Sequence, residues 1–157
     1  MYRTNAQSRS LEDALRKNSI PYTIIGGVEF YQRKEVKDVL AYLRVLVNPN
    51  DDESFLRIVN FPSRGLGDVA LQNLKKFAEA KSLNLLYAAG MAGEIGGETP
   101  RARTSFNTLA SLFKKYLKLK SEISLSELAR ALVDEIGILH LLKEEGTPEA
   151  MSRWENV

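Results

Sequence analysis

The sequence has 157 residues, a length that fits one domain and allows burial of about two-thirds of the unfolded surface. Its 44% hydrophobic and 27% charged residues exclude an intrinsically disordered chain. Cysteine is absent and His140 is the only histidine, which excludes disulfide frameworks and zinc sites and leaves little room for thiol or imidazole catalysis.

Hydropathy and charge limit the partners of the chain. No apolar run approaches the roughly 18 residues of a membrane span, and no secretory leader opens the sequence. We therefore expect a cytoplasmic protein without a membrane partner. The formal net charge is only +2, so binding to nucleic acid would have to come from local basic clusters.

The first third of the chain predicts one or two short strands and two helices. Residues 2–3 resemble the end of a strand, and Asn5 is predicted to cap a helix that ends near residue 18. The β-rich residues 21–25 predict a second strand. Apolar residues recur at helical spacing over residues 33–47 and predict a helix that stops before an Asn-Pro pair.

The middle of the chain predicts helices joined by glycine-containing segments. A short helix is predicted after Asp51 and Asp52, either of which can cap it. A turn with two glycines then leads into a helix that runs to about Lys81. Ser82 is predicted to cap a further short helix, and the glycine-rich residues 91–99 to form a flexible loop.

Three capping signals predict where the helices in the last third of the chain begin. The Thr-Pro pair at residues 99–100 opens a long helix with an apolar stripe. Residues 124–127 fit a capping box before a helix that Gly137 ends. A last helix follows residues 147–148 and still runs at Val157. The expected fold is mainly α: a helical bundle with a helix-hairpin-helix element, plus one or two short β-strands near the N-terminus.

Both ends of the sequence fall inside predicted elements, a strand at the start and a helix at the end. Natural domains seldom begin or end within an element. We therefore expect the chain to be a fragment of a longer protein.

The turn around Gly65 and Gly67 carries the clearest functional signal. Glycine at both positions allows a sharp turn and close approach of a partner, and the following helix directs unpaired amides and its positive dipole end outward. Leu66 is expected to anchor the turn in the core, and Arg57 and Arg64 to supply charge to a DNA backbone. This pattern predicts a helix-hairpin-helix that binds DNA without reading its sequence.

A plain helix-to-helix turn is the alternative for this segment, because glycine is also the usual residue there. Asp68 fits either interpretation. As an acid in the first turn it favours the helix dipole, but it would repel a phosphate at the same amides.

A second basic cluster combines Arg33, Lys34 and Lys37 with Phe30 and Tyr31. Aromatic rings beside cations are compatible with base stacking next to phosphate contacts. Alternatively, both rings belong to the core and the cations form a solvated face.

Catalytic patterns are not found. The acidic residues 51–53 do not follow a buried apolar strand, as a magnesium-binding signature of nucleotide hydrolases would. No Gly-Lys pair occurs, so the loop that binds triphosphate is missing. His140 is interpreted as a partly buried helix residue. We expect no catalytic residue, cofactor or metal site in this chain.

Five sequence blocks, in order along the whole chain, resemble superfamily 1 DNA helicases of the UvrD/Rep/PcrA type. They are YRTNAQSR (2–9), IPYTIIGGVEFYQRKEVKD (20–38), LAYLRVLVNPNDD (40–52), RIVNFPSRGLG (57–67) and SRWENV (152–157). The resemblance implies a parent enzyme with two RecA-like motor domains that hydrolyse ATP with Mg²⁺ and move 3′ to 5′ along single-stranded DNA. It further implies that residues 1–47 are part of the second motor domain (2A) and its junction, and residues 48–157 part of its helical 2B insertion.

The resemblance also assigns DNA-binding roles. Arg3 and Asn5 match the block that contacts the backbone of the tracking strand, while Arg33 and Lys37 fall in a block near the junction. Residues 65–67 match a hairpin that grips the duplex ahead of the fork, with Arg64 beside it.

One further block and one further position qualify the match. Arg153, Glu155 and Asn156 lie in a block that we assign to packing rather than chemistry. Glu29 stands where relatives often carry a lysine or arginine, and a carboxylate there would repel phosphate.

The expected function is therefore the DNA-binding part of an ATP-dependent 3′–5′ DNA helicase, acting at a junction of single-stranded and duplex DNA in repair or replication. The alternative is a protein-interaction or autoinhibitory helical domain, with repair proteins as partners. A stand-alone helix-hairpin-helix glycosylase or nuclease would need a catalytic Lys or Asp near the turn, and the sequence offers no candidate.

Overall fold

The structure is a computed structural model that describes residues 5–22 and 30–157, with only the backbone described for residues 5–9. Over these ranges the chain forms nine α-helices. They are α1 (Asn5–Lys17), α2 (Lys34–Val47), α3 (Asp52–Ile58), α4 (Asp68–Lys81), α5 (Leu85–Gly90), α6 (Pro100–Leu119), α7 (Leu125–Ile136), α8 (Ile138–Glu145) and α9 (Pro148–Trp154). Short 3-10 turns cover Phe30–Gln32 and Ala92–Glu94.

The mainly helical class is confirmed. Of the predicted strands, residues 2–3 and 23–25 lie outside the described residues, and Pro21 and Tyr22 have no regular secondary structure. The chain divides into two compact units, residues 40–136 and residues 1–39 with 137–157. The predicted domain boundary after residue 47 refers to a longer protein and stays a prediction.

Helix α6 forms the centre of the 40–136 unit. Phe106, Leu109 and Phe113 recur at helical spacing, and each is no more than 1% exposed. The ring of Phe113 stacks on Tyr42 of α2 with 5.9 Å between centroids. At the end of α6, the Tyr116 hydroxyl donates a hydrogen bond of 2.7 Å to Glu135 Oε2 of α7. The predicted apolar stripe is therefore the core of this unit.

The predicted caps fix where several helices begin. Asp51 Oδ1 accepts the Ser54 amide at 2.9 Å, and Thr99 Oγ1 accepts the Ala102 amide at 3.2 Å. Ser124 and Glu127 form the reciprocal capping box, since the Glu127 carboxylate accepts the Ser124 amide at 3.0 Å. These local hydrogen bonds confirm the predicted starts of α3, α6 and α7.

Two predicted boundaries are wrong. Ser82 does not cap α5; it adopts a left-handed conformation (φ 52°) that closes α4, and Asn84 caps α5 by accepting the Tyr87 amide at 2.9 Å. The final helix α9 ends at Trp154 instead of continuing to Val157. The segment predicted as a flexible loop contains a 3-10 turn and buries Ala92 and Ile95, so it packs onto the core.

The loop at residues 59–67 joins α3 to α4 and is held by two polar side chains. Asn60 Oδ1 accepts the amides of Arg64 (2.8 Å) and Leu66 (3.2 Å), while Asn60 Nδ2 donates to the Leu66 carbonyl. Arg64 Nη2 donates to the Tyr42 hydroxyl at 2.6 Å. Arg64 Nη1 donates to four carbonyls at the end of α3 and in the loop: Ile58, Val59, Phe61 and Pro62.

In the other unit, non-local contacts join the start of α2 to the end of the chain. Asn156 is buried, and its side chain donates to Glu35 Oε1 and accepts from Arg33 Nη1, both at 2.6 Å. Helix α8 packs against α9, and Arg153 forms an ion pair with Glu145.

Replacing Arg64 should destabilise the fold. In Arg64→Met the carbonyls at the end of α3 lose their donor, which should cost about 2–3 kcal/mol of unfolding free energy. Urea unfolding followed by circular dichroism measures this change. Lys76→Met, which removes an exposed cation from α4, is the matched control and should change the unfolding free energy by less than about 0.5 kcal/mol. Equal effects of the two substitutions would contradict the structural role of Arg64.

Acid should weaken the capped helices. Hydrogen bonds from the Ser54 amide and hydroxyl lower the pKa of Asp51, and those from the Ser124 hydroxyl and amide lower the pKa of Glu127. A carboxyl whose pKa is lowered by folding stabilises the fold above its unfolded pKa, near 4, and this contribution is lost as pH falls through the folded pKa. Thermal unfolding between about pH 6 and pH 2 should therefore show a falling Tm below about pH 4.

Asp51→Asn tests this assignment, because asparagine caps a helix but does not titrate. The Tm of this variant should fall less steeply with acid than that of the unsubstituted protein. Glu79→Gln, which removes an exposed acid from α4, is the control and should leave the slope unchanged. An unaltered slope in Asp51→Asn would show that this cap does not contribute to acid sensitivity.

Candidate nucleic-acid interface

The last residues of the 59–67 loop are exposed to solvent, except for Leu66, which packs into the core. Leu66 is 3% exposed, as the sequence predicted for an anchor, whereas Gly65 and Gly67 on either side are exposed. Helix α4 begins immediately afterwards at Asp68. Within three consecutive residues, Gly65 and Gly67 are therefore exposed and Leu66 between them is buried.

The two glycines meet different requirements. Gly65 has φ +69°, in the left-handed region that favours glycine, and a Cβ at this position would lie 2.8 Å from Nη2 of Arg101. Gly67 has φ −87° and ψ 173°, an extended conformation that any residue adopts, and a Cβ there would meet no atom within 4 Å. Only Gly65 is required by the fold, and Gly67 leaves open space at the start of α4.

The N-terminus of α4 has no side-chain cap. Gly67 occupies the N-cap position and offers no acceptor for the free amides of the first turn. The neighbouring Asp68 and Val69 are exposed, Val69 by 70%. Free amides and the positive dipole end of a 14-residue helix can attract an anion, although the carboxylate of Asp68 opposes this attraction.

The three cations near the loop have different environments. The Arg64 guanidinium, which was expected to supply charge to DNA, donates to carbonyls of its own loop and to Tyr42. Arg57 is exposed in the last turn of α3. Arg101, in the first turn of α6, is exposed and places its guanidinium against Gly65.

Sequence reasoning did not single out Arg101. The contact between Arg101 and Gly65 joins α6 to a loop that lies far from it along the chain, and no motif spacing connects the two. Only the packing of α6 behind the loop brings these residues together.

The N-terminal basic cluster, which comprises Arg3 and Asn5 together with the second basic cluster around Arg33 and Lys37, is described in part. Arg3 lies outside the described residues, as does Glu29, and of Asn5 only the backbone is described, in the first turn of α1. Lys37 is half-buried one turn of α2 after Arg33. The Arg33 guanidinium donates to Asn156 and lies 5.6 Å from the centroid of the Phe30 ring.

The two aromatic residues of this cluster have different environments. Phe30 is 6% exposed and belongs to the core, whereas Tyr31 is 41% exposed and meets Phe30 edge to face at 5.1 Å. The guanidinium of Arg16 lies 4.9 Å from the centre of the Tyr31 ring, and a hydrogen bond with Tyr22 raises the pKa of Arg16. The interpretation of both rings as core residues is therefore correct for Phe30 and wrong for Tyr31.

The described part of the chain shows no further catalytic or metal-binding site. His140 was expected to be partly buried but is exposed, with Nδ1 3.3 Å from Glu144 Oε2, because it faces outward on α8. Within residues 5–22 and 30–157, no three acidic or histidine side chains are grouped to hold a metal ion. In the same ranges no helix combines the length and apolar character needed to cross a membrane.

Comparisons with known proteins identify the family of the chain. The model of the UvrD-like helicase C-terminal domain matches residues 1–88. The ATP-dependent DNA helicase PcrA of Bacillus subtilis is 39% identical over all 157 residues, and the proteins of the same name from Staphylococcus aureus (strain Mu50) and Leuconostoc citreum are 37% and 34% identical over the same length. The chain spans 21% of the length of each of these relatives. The chain belongs to the UvrD-like helicase C-terminal domain family.

Proposed function

We propose that the chain is the DNA-binding part of an ATP-dependent 3′–5′ DNA helicase. The element formed by α3, the 59–67 loop and α4 acts as a helix-hairpin-helix on the backbone of duplex DNA at the junction with single-stranded DNA. The relatives are named ATP-dependent DNA helicases, and the ATP and Mg²⁺ of the reaction would be bound by other parts of such a protein. Residues 1–47 would then belong to motor domain 2A, and residues 48–157 to the 2B insertion.

The observation that carries this proposal is the open space at Gly67. The backbone there suits any residue, and beyond the adjoining residues 66 and 68 no described residue has an atom within 4 Å of a Cβ built at this position. Serine or asparagine at an N-cap would stabilise α4 slightly more than glycine. The remaining advantage of glycine is its lack of a side chain, which allows a phosphate to approach the amides of the first turn.

The proposed contacts read no base sequence. Backbone amides at residues 65–67 and at the start of α4 bind phosphate oxygens, which are alike at every step of the duplex. Leu66 takes no part in this binding directly; it holds the loop to the core so that the amides keep their positions. Arg64 serves the same purpose through its hydrogen bonds to the loop carbonyls.

The N-terminal cluster is proposed to contact the backbone of single-stranded DNA through Arg3, Asn5, Arg33 and Lys37. The exposed ring of Tyr31 supports this role, because an aromatic face beside cations can stack a base while the cations meet phosphates.

Gly67→Val tests the duplex contact. The new side chain should fill the open space and weaken binding of a labelled DNA hairpin with a single-stranded tail by about tenfold, equivalent to about 1.4 kcal/mol. Fluorescence anisotropy at low salt measures the affinity, and circular dichroism should show an unchanged helical content because valine adopts the extended backbone of Gly67.

Gly93→Val is the matched control. Gly93 also has no atom within 4 Å of a built Cβ, and its neighbour Glu94 pairs with Lys81 at the other end of α4. This variant should bind DNA as the unsubstituted protein does. If Gly67→Val binds equally well, the proposed duplex contact is wrong.

A protein-interaction or autoinhibitory role is the second candidate, and a groove between α5 and α6 favours it. The groove encloses about 600 Å³, and Tyr87 at its edge is 59% exposed. Its apolar lining includes Leu83, Leu86, Met91, Phe113 and Leu117.

Tyr87→Ser distinguishes the two candidates in an unwinding assay of the full-length enzyme. If the groove holds an inhibitory segment, unwinding should become faster while DNA affinity stays the same. If Tyr87→Ser changes neither the unwinding rate nor the DNA affinity, the groove has no autoinhibitory role. Lys76→Ser on the exposed part of α4 controls for a change of surface polarity.

A further inference from the structure

We propose that Arg101 is a phosphate ligand of the 59–67 loop, and that it supplies the positive charge which the sequence assigned to Arg64. The ligand is a phosphodiester group of duplex DNA. This inference rests on the proposed function, since it adds a residue from α6 to the same DNA-binding surface.

The guanidinium of Arg101 lies directly on the loop. A Cβ built on Gly65 would meet Nη2 at 2.8 Å, Nε at 2.9 Å and Cζ at 3.0 Å. All three nearest atoms belong to the charged group, so it is the guanidinium, rather than the aliphatic part of the side chain, that occupies this position. Any side chain at residue 65 would displace it. The absence of a Cβ at Gly65 therefore has a second effect besides permitting φ +69°: it makes room for a cation.

The position of this cation suits the proposed ligand. Gly65 and Gly67 are two residues apart, a distance of at most about 7 Å along an extended backbone. Arg101 thus lies beside the open start of α4, where the free amides attract an anion. An arginine offers a planar fork of donors that matches two phosphate oxygens.

Arg64 cannot replace Arg101, because its Nη1 and Nη2 already donate to carbonyls and to Tyr42. Arg101 is exposed, and it forms no hydrogen bond or ion pair with the described residues. Its donors are consequently available to a ligand from solution.

A purely structural role does not account for this arrangement. The first turns of α6 are already joined to the loop, because Ser105 Oγ donates to the Arg64 carbonyl at 2.9 Å. An arginine that only fastened α6 to the loop would be expected to donate to a loop carbonyl as Arg64 does. Arg101 instead lies over a glycine, with its charge left uncompensated at the surface.

The dependence of DNA binding on salt tests the proposal. Each phosphate neutralised by a cation contributes about 0.9 to the slope of log K against log salt concentration. Arg101→Gln should therefore weaken binding of the labelled hairpin several-fold at low salt and reduce this slope by about 0.9. Arg101→Lys, which keeps the charge but not the fork, should retain the slope and lose part of the affinity.

Lys118→Gln is the charge-matched control, because Lys118 is an exposed cation of the same helix about 25 Å further along. It should leave both affinity and slope unchanged. Thermal unfolding of all variants reports any loss of structure.

The outcomes separate this inference from the proposed function. If Gly67→Val weakens binding but Arg101→Gln leaves the slope unchanged, Arg101 is not a phosphate ligand and the duplex contact stands. An equal loss of slope in Arg101→Gln and Lys118→Gln would also overturn the assignment, since it would show a general effect of charge. If Gly67→Val has no effect, the proposed function itself fails.

Discussion

The guanidinium of Arg64 is the interaction on which the candidate interface depends. It donates to the last carbonyls of α3, to the loop that follows and to the Tyr42 hydroxyl. Because Tyr42 stacks on Phe113 of α6, the loop is connected through one side chain to the central helix of its unit. Helix ends leave carbonyls unpaired, and here a charged donor satisfies several of them at once. The loop can therefore keep one shape without forming regular structure of its own.

That fixed shape gives three adjacent residues different functions. Leu66 is buried, Gly65 adopts a left-handed conformation under Arg101, and Gly67 leaves the start of α4 uncovered. Binding to a phosphate by backbone amides requires an approach that a side chain would obstruct. The candidate interface therefore depends on the absence of a side chain at Gly67 as well as on the groups that surround this residue.

Local signals predicted most of the helical structure. Asp51, Thr99 and the Ser124 capping box each form hydrogen bonds within a few residues, so their helices could be placed from the sequence. The error at Ser82 has a physical reason: Ser82 and Asn84 are both capping residues, and only the αL closure of α4 decides between them.

The candidate site was predictable only in part. The glycine pattern and the family resemblance located the loop and the burial of Leu66. The inward direction of Arg64 and the place of Arg101 depend on tertiary packing, for which the sequence has no local signal. The exposure of Tyr31 and of His140 was likewise unpredictable, because it depends on which face of each element the neighbouring helices cover.

The hydrogen bonds of Asn156 have a consequence for how the chain folds as it is made. Asn156, which forms hydrogen bonds with Arg33 and Glu35, lies more than a hundred positions after them, whereas residues 40–136 form a contiguous unit with its own core. Contacts between distant positions carry a higher cost of loop closure, and chains fold domain by domain as they leave the ribosome. Residues 40–136 can therefore acquire their structure first, whereas the hydrogen bonds of Arg33 and Glu35 to Asn156 form only after residue 156 has been made.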